Sequence, residues 1–227
     1  MTEETTPDDI GLIRILQPAT PSSFRLVCFP GFVNSTAYYL ALAELLLPTV
    51  EVLVIQYPGD AGDPDDLCHG EGEPVQDDEE LADQIFEALG DWTDRRLAFF
   101  GHRDGAYLAY RVAQRLERET TALLMTLFVS GRNAPGVHAP LGPPTLSCRI
   151  VALTGNHDPR TTPAGVRAWR RCTGGRFDLE VLPGAQRFLD NSKREVVNLV
   201  HDQLMSISIE NIANTMNIAN VKAIQAE

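Results

Sequence analysis

Five consecutive residues, Gly101-His102-Arg103-Asp104-Gly105, carry the side chains best placed to do chemistry. They follow the apolar run Leu97–Phe100 and precede the helical pattern Ala106–Arg118. Strand, G-x-x-x-G and helix, in that order, form the context of a nucleophile elbow, in which a sharp turn lifts the middle residue above the sheet. The flanking glycines permit the turn and a close approach of helix to strand. The lifted residue then stands at the carboxyl edge of the sheet, where ligands bind in open α/β folds. Here that residue is Arg103, and a guanidinium cannot be deprotonated in a protein. It can serve neither as nucleophile nor as base, but it can pair with a carboxylate or anchor an anion. His102, just before it, is expected to pack beside the strand end. Asp104, just after it, is expected to contribute its backbone N–H.

An elbow needs a sheet to stand on. Apolar, β-rich runs at Gly11–Leu16, Phe24–Phe29, Val50–Tyr57, Leu97–Phe100, Leu123–Val129, Arg149–Thr154 and Phe177–Leu182 predict strands. They alternate with helical patterns at Thr36–Leu47, Asp77–Trp92, Ala106–Arg118, Pro163–Thr173 and Lys193–Met205. Such alternation predicts an α/β fold with a mostly parallel sheet flanked by helices. At 227 residues the chain is expected to form one domain, over 11–205. Residues 1–10 read as a disordered acidic N-terminus. Gly59–Pro74, rich in Asp, Gly and Pro, reads as a polar loop. Residues 206–227 are Asn-rich with Ile209, Ile212, Met216 and Ile224 at near-helical spacing, so they form a tail, an extra docked helix or an oligomer contact.

The formal charge is −12, which predicts no nucleic-acid partner. The basic groups Arg95–Arg96, Arg111/Arg115/Arg118 and Arg167/Arg170/Arg171 read as solvated surface or as docking sites for an acidic partner. No apolar run is long enough to span a membrane, and no secretory leader is visible, which points to the cytoplasm. The four cysteines are scattered and read as free thiols. His69, His138 and His201 read as solvated. No spacing of His, Cys or carboxylates resembles a metal site, and no cofactor is expected.

Six segments occur in order: Leu26-Val-Cys-Phe-Pro-Gly-Phe32, Gln56-Tyr-Pro-Gly59, Phe99-Phe-Gly-His102, Leu127-Phe-Val-Ser-Gly-Arg132, Leu153-Thr-Gly-Asn-His-Asp-Pro159 and Leu182-Pro-Gly184. Together they resemble the type II thioesterases of polyketide and non-ribosomal peptide assembly lines, from about Leu12 to Leu204. The resemblance implies an α/β-hydrolase fold, a Ser–Asp–His triad and substrates carried on phosphopantetheine arms. Its serine falls on Arg103 and its histidine on Gln186, while its acid is kept as Asp158. It also places the oxyanion-type backbone donors at Phe32 and Asp104. A glutamine amide cannot shuttle a proton at neutral pH, so acyl transfer by the triad mechanism is not expected. His157 on its loop could swing toward the site, and His102 is the other candidate substitute. Arg103 could grip Asp158 through the space the histidine vacated, or an anionic ligand; both remain open.

A second departure concerns the lid. The family's helical lid would lie between the strand ending near Gly131 and the one starting near Arg149. Six of the fifteen residues Asn133–Ser147 are Gly or Pro, so no lid helix is expected there. Three functions follow from these features. The first is a non-hydrolytic cyclisation, elimination or isomerisation on a polyketide-like intermediate, released or carrier-bound. The second is a catalytically silent binding or scaffolding role, and the third a residual hydrolase activating water through His157 or Asp158. The chain is expected to be a monomer, or a homodimer through its tail.

Overall fold

The computed structural model of the protein describes residues 12–17, 22–31, 36–57, 78–136 and 143–206. Strands β1 (Ile13–Gln17), β2 (Phe24–Phe29) and β3 (Val50–Ile55) flank helix α1 (Thr36–Leu46). Then come α2 (Asp78–Ala88), β4 (Arg96–His102), α3 (Asp104–Glu119), β5 (Leu124–Ser130) and β6 (Arg149–Gly155). The chain continues through α4 (Pro163–Arg167), β7 (Phe177–Leu182), α5 (Phe188–Asn191) and a helix over 193–206, here α6.

The seven strands form one sheet in the order β1-β3-β2-β4-β5-β6-β7. Only β1 runs antiparallel, with Ile13 opposite Ile55. The expected mostly parallel α/β fold is what the chain adopts. Because β2 neighbours both β3 and β4, the winding direction reverses between β2 and β4. A crevice opens at the carboxyl ends of strands at such a reversal.

Both faces of the sheet are covered, which explains the near-continuous apolar runs. Along β2 the side chains alternate between two cores. Val27 and Phe29 join Leu53, Ile85, Val112 and Trp169 on the face covered by α2, α3 and α4. Phe24, Leu26 and Cys28 join Tyr39, Leu42, Phe188 and Val200 on the face covered by α1, α5 and α6. Cys28, Cys148 and Cys172 are buried and unlinked, as expected of free thiols.

Two expected helices are shorter than their patterns suggested. The Asp77–Trp92 pattern becomes α2 and a 3-10 turn at Leu89–Trp92, with Gly90 inside that turn. The Pro163–Thr173 pattern becomes one turn of α-helix and then a 3-10 turn at Ala168–Cys172. Trp169 dictates that change: it is fully buried, and its indole N–H donates to the Arg132 carbonyl at 2.9 Å. Residues 1–10, the Gly59–Pro74 loop, Phe32, His69 and His138 lie outside the described residues, as does the tail beyond residue 206.

Candidate functional site

Arg103 occupies the one-residue turn between β4 and α3, with φ 54° and ψ −119°. Among the described residues it is the only non-glycine with positive φ. Such a conformation costs about 1–3 kcal/mol and persists only where its surroundings fix it. Its N–H donates to the Ser130 carbonyl at 2.8 Å, and its carbonyl accepts from Ala106 N at 3.1 Å. The glycines do what the motif requires. A Cβ on Gly101 would lie 2.4 Å from Ala106 Cα, and one on Gly105 would lie 2.2 Å from the Phe29 carbonyl. The helix therefore sits against the strand ends more closely than any side chain allows. Gly31, just past β2, faces Arg103 across the reversal point, with an imagined Cβ 3.0 Å from Arg103 Cβ.

The Arg103 side chain lies down inside the site. Its Nη1 donates to Asp158 Oδ2 at 2.7 Å and to the Gly131 carbonyl at 2.8 Å. Its Nη2 donates to the Gln186 carbonyl at 2.7 Å. The Asp158 side chain is fully buried, and that of Arg103 is 11% exposed. The slot depends on Gly131, at φ +64°, where a Cβ would sit 3.0 Å from the guanidinium carbon. Asp158 is held from its own loop as well, with Oδ1 accepting from Arg160 N at 3.1 Å. Both carboxylate oxygens are thus occupied, as a buried charge requires.

Gln186 comes to the same place, though through its backbone. Its side chain is exposed; with the amide oxygen turned toward Arg160 it accepts from Nη2 at 3.1 Å and Nε at 3.3 Å. Two guanidinium groups therefore converge on one residue, an arrangement that residue order and spacing do not signal. Arg160 is exposed, and among the described residues no carboxylate pairs with its side chain. Nothing in its position or spacing singles it out, because only the fold of the β7–α5 loop brings Gln186 to it.

His102 is buried beneath Arg103, with Nδ1 3.0 Å from Ser130 Oγ and its ring edge-on to Phe188. Burial, and then the neighbouring Arg103 charge, push its imidazole down to about 3, so it is neutral near pH 7. It packs beside the strand end, as expected. His157 is exposed, and its backbone N–H donates to the Gly184 carbonyl at 3.0 Å. Asp104 is exposed, with Oδ1 accepting from Arg132 Nη1 at 2.5 Å. Of the expected residues, the fold brings together Arg103, Asp158, Gln186 and His102. Phe32, the other expected backbone donor, lies outside the described residues. Among the described residues no group of three His, Cys, Asp or Glu is placed to hold a metal.

The thioesterase-domain family model matches residues 24–153, more than half of the chain. The chain belongs to the thioesterase family. Thioesterase PikA5 of Streptomyces venezuelae is 30% identical over 90% of both proteins. A probable cadicidin biosynthesis thioesterase of Streptomyces griseus is also 30% identical, over 87% of this chain and 68% of that protein. The structure of the type II thioesterase BorB from the borrelidin biosynthetic cluster superposes with a TM-score of 0.73 at 28% identity, covering 88% of this chain and 100% of BorB. The match to PikA5 extends over 260 aligned positions, yet 90% of this chain is only about 204 residues. PikA5 therefore carries roughly 55 residues in that span that this thioesterase-family chain lacks.

Proposed function

We propose that this chain is a catalytically silent thioesterase homologue that serves an antibiotic-type assembly line by binding a pathway intermediate or the carrier bearing it, without cleaving the thioester. The observation that carries the reading is the Arg103–Asp158 pair. The guanidinium stands where the family's serine would attack, and it occupies the carboxylate that would orient a catalytic histidine. Among the described residues no replacement base faces it: His102 is buried and neutral, and Gln186 presents a carbonyl. The family setting comes from relatives whose names place them in such pathways.

The connection after β5 supports the same reading. Asn133 Oδ1 accepts from Thr162 N at 3.1 Å, Ala134 N donates to the Gly165 carbonyl at 3.0 Å, and Trp169 fastens Arg132. This ties the segment where a lid would begin against α4, and the described residues of the 131–148 interval contain no helix.

A second reading rests on two observations. The backbone strain at Arg103 is kept although no nucleophile needs it, and Arg160 adds a second cation beside the same loop. That arrangement suits an anionic enolate or carboxylate and a non-hydrolytic cyclisation, elimination or isomerisation. Pathway genetics separates the two. Deleting the protein is expected to stall product formation, whereas Arg103→Ala, if the protein stays folded, is expected to leave it running. A stall at one intermediate with folded Arg103→Ala protein would transfer the assignment to the second reading.

A further inference from the structure

The carboxyl edge of the sheet holds the family site, but a second cavity of about 600 Å³ opens at the opposite edge. Its walls come from the segments that lead into three adjacent strands: Ser22 and Ser23 into β2, Thr93–Arg96 into β4, and Thr120–Leu123 into β5. That volume is in the range of small-molecule sites, and the chemistry of its lining is specific.

Arg96 is half-buried with its guanidinium 5.9 Å from the Phe24 ring centroid, and no carboxylate among the described residues pairs with it. Arg95 Nη1 donates to Ser22 Oγ at 2.8 Å, which leaves the Ser22 hydroxyl proton free to donate into the cavity. Ser23 and Thr121 have no hydrogen-bond partner among the described residues. Thr93 and Thr120 differ: their hydroxyls donate to the Gly90 and Leu116 carbonyls. The one carboxylate in the lining, Asp94, is already engaged by Arg25 Nη1 at 2.5 Å and Arg95 Nε at 3.7 Å. The hydrogen bond from Arg25 holds its carboxyl below the ordinary carboxylate range. Leu123, 61% exposed, supplies an apolar wall.

Arg95 is already engaged by Ser22, Glu51 and Asp94, so the free donors are the Arg96 guanidinium, which can give two parallel N–H bonds, and three hydroxyls. Together they exceed the roughly four lone-pair sites of a carboxylate but suit the three acceptor oxygens of a phosphate. The Leu123 wall suits an apolar body behind it. We propose that this cavity binds a phosphomonoester, with the phosphate between Arg96 and the hydroxyls of Ser22, Ser23 and Thr121. It is separate from the Arg103 site and independent of how that site is read. In a chain of charge −12, a pocket of this character stands against the overall field.

Calorimetric titration of the full chain with phenyl phosphate, inorganic phosphate and phenol tests it. Phenyl phosphate is expected to bind saturably at one site, more tightly than phosphate, while phenol does not bind. Arg96→Gln, checked for folding by circular dichroism, should weaken phenyl phosphate at least tenfold, while Arg103→Gln should leave it unchanged. Absence of saturable binding, binding indifferent to Arg96→Gln, or binding lost in folded Arg103→Gln instead would each overturn the proposal.

Discussion

Arg103 and Asp158 form a buried ion pair whose members depend on each other. Removing one partner of such a pair leaves an uncompensated charge, which typically costs about 3–5 kcal/mol. Asp158→Ala is therefore expected to lower unfolding free energy by about that amount, as read by urea denaturation. His102 makes a pH-dependent contribution of definite sign. Its folded value lies near 3, below the ordinary 6.5, so the unfolded chain binds the extra proton between those limits. Stability should fall as pH drops below about 6.5, approaching about 1.4 kcal/mol per unit from this one group. His102→Asn should flatten the change between pH 6.5 and 5 in denaturation curves. That Arg103 and the Gln186 amide can act as neither nucleophile nor base was legible at this scale, from residue chemistry alone. The partner of Arg103 was not legible, since Asp158 and an external anion satisfy a guanidinium equally well on paper. Arg160 was missed altogether, because its link to Gln186 exists only through loop geometry.

At the scale of elements, the strand–turn–helix unit is fixed by two close approaches. Gly105 lets α3 start against the Phe29 carbonyl, and any Cβ there would collide with backbone that cannot yield. Gly105→Ala is expected to cost at least about 3 kcal/mol or to abolish soluble expression, in line with severe core overpacking. Gly131→Ala should cost less, about 1–2 kcal/mol, from its positive φ and from displacing the Arg103 guanidinium. Strand positions were read well from the sequence, and Phe24–Phe29 and Phe177–Leu182 match without a shift. Helix ends were read less well. The period of α2 continues into Leu89–Trp92, but Gly90 and the buried Leu89 favour a tighter turn that periodicity does not register.

Across the whole molecule, the sheet with its two covered faces is a thioesterase scaffold, while the surface has been settled by local pairing. Arg111 pairs with Glu79 and Arg115 with Asp83, clamping α3 to α2, while Glu119 pairs with Arg115 and Arg118 within α3 itself. These three arginines spend their charge within the chain, as a solvated face does. Each Arg→Ala change there should move stability by no more than about 1 kcal/mol, because exposed pairs are weak and screened by salt. Arg96, chemically the same residue, is distinguished only by what surrounds it in the fold.

On the proposed function the chain keeps the thioesterase scaffold and carries out no acyl transfer. Incubating the full chain with an acyl-N-acetylcysteamine thioester tests this most directly, following thiol release and the intact mass of the protein. Release no faster than in buffer, with no acyl adduct on the chain, is the expected outcome. A stoichiometric acyl adduct, or saturable release abolished by folded Asp158→Asn, would contradict it.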